Sequence, residues 1–186
     1  MIQDLENLVN KLFLTPSDIN EHFPSIIKYG SECDHITEMG VRGIISTWGW
    51  LACSPKKSLI CYDLENPIKW GGIIEDVYDT AKAYNIPFKF VEADVLKVEI
   101  EETDLLFLDT CHVYSQVKQE LKLHSNKVKK YICFHDTTSY EVNGEDGKEG
   151  TGIWGAIEEF LEKNKDTWKL KERFTNNNGF TIIKRL

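Results

Sequence analysis

The sequence predicts an α/β fold of three layers, with a mostly parallel sheet between helices and an antiparallel hairpin at its end. Three observations predict it. From residue 34 onward, short apolar runs alternate with amphipathic stretches, the pattern of strand–helix–strand units. The runs are apolar throughout, which suits parallel strands covered on both faces. Near the end, Thr175-Asn176-Asn177-Asn178-Gly179 separates two strand-like segments, and these residue types favour the backbone of a hairpin turn.

The elements follow in order. Residues 3–13 place Leu5, Leu8, Val9 and Leu12 at helical spacing. Thr15-Pro16-Ser17-Asp18 predicts a second helix start, with Thr15 as N-cap, Pro16 as the first helical position and Asp18 as the reciprocal acid. Ile19, His22, Phe23 and Ile26 form its inner stripe, and Gly30 ends it. Residues 1–30 thus make a helical cap ahead of a core over 34–186, all in one expected domain.

Ile36-Thr37-Glu38 closes the first strand, and Ile44 to Ala52 is a buried helix after a glycine turn. Ser58 to Tyr62 is the second strand, followed by Asp63, and Ile73 to Tyr84 is an amphipathic helix. Pro87 to Val91 is the third strand, with Asp94 after it, and Leu105 to Leu108 is the fourth, ended by Asp109. The link between those two is short, near the lower limit for a crossover, so a helical turn or a bare loop is expected. Val113 to Leu123 is a helix, Tyr131 to Phe134 the fifth strand ended by His135-Asp136, and Ile153 to Leu161 another helix. Trp168–Phe174 and Phe180–Ile183 form the hairpin. Residues 141–152, rich in glycine and charge, are the one long loop and a lid candidate.

A net charge of −8, from 22 basic and 30 acidic residues, repels phosphate backbones and anionic lipid. Neither nucleic acid nor a membrane is an expected partner. Lys127, Lys129 and Lys130 form the one dense basic cluster. Cys33, Cys53, Cys61, Cys111 and Cys133 make no CxxC pair and lie mostly in or beside apolar runs, which points to a reducing compartment. Met1-Ile2-Gln3-Asp4 opens no basic-then-apolar leader, and no run approaches the ~20 residues of a membrane span. A cytoplasmic protein is expected.

In an open parallel sheet, ligands bind beyond the C-terminal ends of the strands. Glu38, Asp63, Asp94, Asp109, His135 and Asp136 all fall at such ends and are expected to share one rim. Glu38-Met39-Gly40-Val41-Arg42-Gly43 joins the first strand to its helix. Gly40 and Gly43 let the backbone turn tightly and approach a ligand, and the helix N-terminus behind them offers free amides. Asp63 is spaced to accept both hydroxyls of a ribose, and Asp94 to meet an adenine edge. Ser46 and Thr47 lie one turn into the helix, within reach of the polar end of a cofactor, while Trp48 suits the core. Asp109-Thr110-Cys111-His112 sets an acid beside a base, and Asp136 adds a second acid. An imidazole titrating near ~6.5 can take a proton at working pH.

At these residues the chain resembles the class I S-adenosylmethionine-dependent methyltransferases, over residues 34–184. "ITEMGVRG" looks like the family's first motif, under the methionine part of the cofactor, "LICYDLE" like the second and "FVEADV" like the third. "LFLDTCHVY" and "YICFHDT" resemble a small-molecule O-methyltransferase subgroup, akin to the cephalosporin-hydroxylase-like, macrolide-sugar and catechol-type enzymes. The resemblance implies a Rossmann-like methyltransferase fold and methyl transfer to a hydroxyl of a small molecule or sugar. It implies S-adenosylmethionine on Glu38, Gly40, Val41, Arg42, Gly43, Ser46, Asp63, Asp94 and Asp109. It implies His112, Asp109 and Asp136 as catalytic residues, and Mg²⁺ on Asp109 and Asp136 with His135 beside them.

Catechol-type enzymes carry a lysine where His112 stands, and an amide or acid as third ligand where His135 and Thr137 flank Asp136. Mg²⁺-assisted chemistry and a metal-free pair of His112 and Asp136 therefore both stay open. A rival reading is an NAD- or nucleotide-binding Rossmann protein, against which Val41-Arg42 interrupts the glycine pattern. Another is a catalytically silent binding or partner-activating subunit, against which the Asp109, His112, Asp136 set is intact. Assembly is open between monomer and homodimer.

Overall fold

Asp4 opens the first helix by accepting the Asn7 N–H on its carboxylate at 3.1 Å, and α1 (Leu5–Leu14) follows. Thr15 does not start the next helix as its sequence context predicts. Its hydroxyl donates back to the Lys11 carbonyl at 2.7 Å, and its N–H donates to Leu12, so it closes α1. The chain then passes through a 3-10 turn at Asn20–His22 into α2 (Phe23–Gly30), whose Pro24 occupies the first turn. Local competition for the threonine hydroxyl decided this.

The computed structural model describes residues 2–186. Met1, with which the leader reading begins, lies outside the described residues. Contacts divide the chain into two compact units, Met1–Val95 and Leu96–Leu186. In the first, β1 (His35–Met39), β2 (Ser58–Asp63) and β3 (Phe88–Glu92) pair in parallel, with α3 (Ile45–Ala52) and α4 (Ile74–Ala83) between them in the chain. The register sets Glu38 beside Cys61 and Met39 beside Tyr62. Ile36, Met39, Leu59, Trp50 and Leu51 are buried, as both-face coverage requires.

In the second unit, β4 (Thr103–Leu108) and β5 (Val128–His135) pair in parallel. The helices α5 (Tyr114–His124) and α6 (Ile153–Lys163) precede and follow β5. The closing hairpin is β6 (Trp168–Phe174) and β7 (Phe180–Arg185), with β7 antiparallel to both β5 and β6. Asn177, Asn178 and Gly179 are all left-handed, with φ of 44°, 68° and 96°, the conformation that turn chemistry predicts. Strand order is β3-β2-β1 in the first unit and β4-β5-β7-β6 in the second. The link over residues 93–102 contains turns and bare loop, as its length requires.

Each lysine of the basic cluster has an acidic neighbour: Lys127 with Glu99 at 2.9 Å, Lys129 with Glu102 at 2.9 Å and Lys130 with Asp104 at 3.9 Å. All five cysteines are free. Among the described residues no helix is long and apolar enough to cross a membrane.

Gly30 shows where tertiary packing overrides local propensity. Glycine to alanine in a helix ordinarily stabilises by about 0.5–1 kcal/mol. Here a Cβ would overlap Cys53 Sγ and press on Trp50. Gly30→Ala is therefore expected to destabilise by about 1–3 kcal/mol, with Cys53→Ala recovering part of the loss. Urea denaturation of the two variants and their combination measures both effects.

Candidate active site

In the first unit, the turn after β1 is built on Gly40, which is left-handed at φ 87° and donates its N–H to Tyr62 at 2.9 Å. Of the roles expected of Gly43, the tight turn falls to its neighbours. Gly43 has no left-handed backbone, and a Cβ on it would meet nothing closer than the Trp70 carbonyl at 3.6 Å. The other left-handed positions are Arg42 at φ 45° and Ile44 at φ 61°. A β-branched side chain in that region is unusual and costs on the order of 1–3 kcal/mol. That strain sits directly ahead of α3.

Asp63 braces this turn. Its Oδ2 accepts the N–H of Val41 at 2.7 Å and of Arg42 at 2.9 Å, and its Oδ1 accepts the N–H of Glu65 at 3.0 Å. Glu38 is wholly buried, accepting the hydroxyls of Ser46 at 2.6 Å and Thr47 at 2.7 Å. It thereby ties β1 to α3. Burial, and then the charge of Glu38, push the neighbouring Cys61 thiol well above its ordinary range. Arg42 points outward, its guanidinium 5.2 Å over the Trp70 ring and 3.7 Å from Asp18. Asp94 is half-buried just past β3. Trp48 is in the core. Leu64 and Trp70, 68% and 54% exposed, follow Asp63 in the chain as apolar surfaces that polar-motif reasoning passes over.

In the second unit, Asp109 directly follows β4 and Asp136 directly follows β5. His112 joins them. Its Nε2 lies 3.1 Å from Asp109 Oδ1 and 3.0 Å from Asp136 Oδ2. Its Nδ1 lies 3.3 Å from Glu145 Oε2, and the Tyr140 ring stacks on the imidazole at 4.8 Å and 8°. His135, buried behind them, sets its Nδ1 3.3 Å from Asp109 Oδ1 and 3.6 Å from Asp136 Oδ2. Asp136 is held left-handed at φ 58°.

Electrostatics follow from this crowding. Burial alone would lower the His112 pKa, but the hydrogen bond and charge of Asp109, with the charges of Asp136 and Glu145, raise it. Burial would raise Asp109, yet the hydrogen bonds and charges of His112 and His135 hold its carboxyl far below the ordinary range. For Asp136 burial wins, and its pKa rises despite both histidines.

Solved structures of other proteins share this architecture. A Staphylococcus aureus protein provisionally assigned as a caffeoyl-CoA O-methyltransferase matches at TM-score 0.68 and 12% identity, over 99% of this chain and 93% of its own. A Podospora anserina methyltransferase bound to S-adenosylhomocysteine matches at 0.62 and 14%, over 100% and 89%. A Bradyrhizobium japonicum N-methyltransferase, also bound to S-adenosylhomocysteine, matches at 0.57 and 11%, over 98% and 98%. No family model matches the sequence, and no curated protein does. This is the class I methyltransferase fold. At these identities the likeness is one of fold, so chemistry must come from the residues.

On that fold, Asp109, His112 and Asp136 bring donor atoms within 4.8 Å of one another, a set that does not include His135. Asp136 Oδ1 is buried without a hydrogen-bond partner among the described residues. Two carboxylates suit a hard divalent cation such as Mg²⁺, and the imidazole is a softer addition. The donor set therefore fits an ion held chiefly by the two acids.

Two residues beside this cluster escape sequence reasoning. Glu120 on α5 is wholly buried, accepting the Thr110 hydroxyl at 2.5 Å and the Gln116 amide at 2.8 Å. Burial pushes its pKa up to about 7, against those two bonds and the charge of His112. Its signal was an acid among Val117, Leu121 and His124 on the inner stripe of α5. Glu145, in the 141–152 loop, had no local signal at all. Trp154 on α6 stacks under the Arg173 guanidinium at 3.5 Å.

Proposed function

We propose that the chain transfers the methyl group of S-adenosylmethionine to a hydroxyl of a small molecule or sugar. The observation that carries this is the cluster of Asp109, His112 and Asp136 on a methyltransferase fold. The fold also serves an N-methyltransferase, so the choice of oxygen rests on that cluster. An amine with a free lone pair needs less help to attack than an alcohol, which must lose a proton.

The first unit is assigned the cofactor. When bound, S-adenosylmethionine supplies an electrophilic sulfonium methyl. Asp63 keeps about one of its roughly four lone-pair sites beyond its three amide contacts, which suits a ribose hydroxyl. Ser46, whose proton goes to Glu38, can only accept, which suits the cofactor's ammonium group. Gly40, Val41, Arg42, Gly43 and Asp94 complete the assignment, with the exposed face of Leu64 as an apolar support.

The second unit is assigned proton removal. Three carboxylates around His112 favour the imidazolium, which cannot accept a proton. Ion binding at Asp109 and Asp136 would draw two of those charges away from Nε2 and free it as a base. When bound, Mg²⁺ also lowers the pKa of a coordinated hydroxyl. The acceptor proton then goes to His112 Nε2, and the Glu145 carboxylate beside Nδ1 keeps the imidazolium stable until solvent takes it.

Calorimetry with S-adenosylhomocysteine and with NAD tests the cofactor. The first is expected to bind and the second not. Asp63→Ala is expected to weaken S-adenosylhomocysteine binding by roughly 10- to 100-fold, as a charge-assisted bond to ribose is lost. Binding of NAD alone would make this a nucleotide-binding protein of another kind. Acceptor screening with and without EDTA reads the metal requirement, and loss of turnover on chelation is the expected result.

A further inference from the structure

The loop over residues 141–152 is folded back on the candidate base. The Glu145 N–H donates to the His112 carbonyl at 3.0 Å. The His112 N–H donates to Glu145 Oε2 at 3.1 Å, and the same oxygen lies 3.3 Å from His112 Nδ1. One side chain and one backbone group thus grip both the main chain and the ring of a residue 33 positions away. Tyr140, at the root of the loop, covers the flat face of the same ring.

The loop has its own internal order. Thr151 Oγ1 bonds Asp146 at 2.7 Å and accepts the Gly144 N–H at 3.2 Å. Asn143 and Glu149 form an antiparallel bridge. The Gly152 N–H donates to Val142 at 2.9 Å, and a Cβ on Gly152 would overlap the Glu141 carbonyl, so the two ends are pinched together. The Tyr114 N–H donates to Thr151 at 2.6 Å, which pins the loop to the start of α5. A loop so constrained delivers the half-exposed Glu145 carboxylate to a defined place.

We propose that Glu145 is a positioning residue for His112, and that the 141–152 loop is a strap holding the imidazole with Nε2 turned to Asp109 and Asp136. This rests on the reading of His112 as the base. With Nδ1 facing the Glu145 carboxylate at 3.3 Å, Nε2 is the nitrogen left for the acceptor proton, and the acceptor must approach from the side of the two aspartates. The contact also links strap closure to the geometry of the base, in the way a carboxylate orients the histidine of a catalytic triad.

The test uses the full chain and four proteins: wild type, Glu145→Ala, Glu145→Gln and Glu149→Ala. Glutamine keeps an oxygen for both His112 donors. Glu149 is on the same loop and exposed, and serves as control. Hydrogen exchange of the His112 amide is expected to speed up by about tenfold in Glu145→Ala and to stay slow in the other three. In methyl-transfer assays kcat is expected to fall by roughly 10- to 100-fold in Glu145→Ala, with KM for S-adenosylmethionine unchanged and most of kcat restored in Glu145→Gln. Unchanged amide protection in Glu145→Ala overturns the strap contact, even if no protein in the set transfers methyl. A lost amide bond with unchanged kcat overturns the positioning role. Absence of turnover in wild type strikes the proposed activity alone, and the exchange data still decide whether Glu145 holds His112.

Discussion

Asp109→Asn is expected to cut methyl transfer by on the order of 10³-fold, far more than it weakens S-adenosylhomocysteine binding. Asp109 Oδ1 faces both His112 Nε2 at 3.1 Å and His135 Nδ1 at 3.3 Å. The amide is similar in shape but carries no charge. It can no longer hold a divalent ion strongly, nor, in the metal-free pairing, stabilise the imidazolium that forms as His112 takes a proton. Single-turnover kinetics separate this chemical step from cofactor binding. Unchanged turnover would favour a catalytically silent chain and remove the proposed roles of His112 and Asp136 as well. The same substitution has a stability signature. An acid held below its ordinary range in the folded state gives stability that is present above its unfolded pKa of ~3.9 and lost as pH falls through the folded value. Wild type should therefore exceed Asp109→Asn in stability near neutral pH, and the two should converge in strong acid.

Glu120→Gln is expected to act in the opposite direction, stabilising the fold in a pH-dependent way. The folded pKa of Glu120 is about 7, raised by burial, against an unfolded value of ~4.3. Below the unfolded value both states are protonated and no penalty arises. Between the two values the folded carboxyl keeps a proton that the unfolded chain releases, so stability falls as pH rises. Above the folded value the cost of burying the charge is complete, on the order of 3 kcal/mol. Glutamine retains an oxygen for the Thr110 and Gln116 donors without that cost. Urea denaturation at about pH 8 should show the full gain, and at about pH 4 almost none. An equal change at both values, or a loss at the higher one, would show that Glu120 is ionised and satisfied in the folded chain.

Glu120 and Glu145 mark a boundary in what a sequence reveals. An acid inside the apolar stripe of α5 is visible from helical spacing, but spacing does not tell that Thr110 and Gln116 both turn to it. Glu145 meets His112 only because the 141–152 loop folds onto itself, and nothing in its neighbours encodes that register. Asp63 lies between these cases. Its place after the second strand is legible, whereas its grip on the Val41 and Arg42 amides depends on left-handed turns at Arg42 and Ile44. The tight turn expected at Gly43 falls instead on its two neighbours, Arg42 and Ile44, for the same reason.

Sequence by itself determined the alternation of strands and helices, the closing hairpin, and the placing of Asp63, Asp94, Asp109, His135 and Asp136 at strand ends. Those features follow from apolar periodicity and turn chemistry, which act over a few neighbouring residues. Tertiary structure alone decided that Thr15 ends a helix, that Gly30 leaves no space for a methyl group, and which carboxylates crowd His112. These depend on hydrogen-bond partners and burial contributed by distant parts of the chain, and those same contacts raise or lower each group's affinity for a proton.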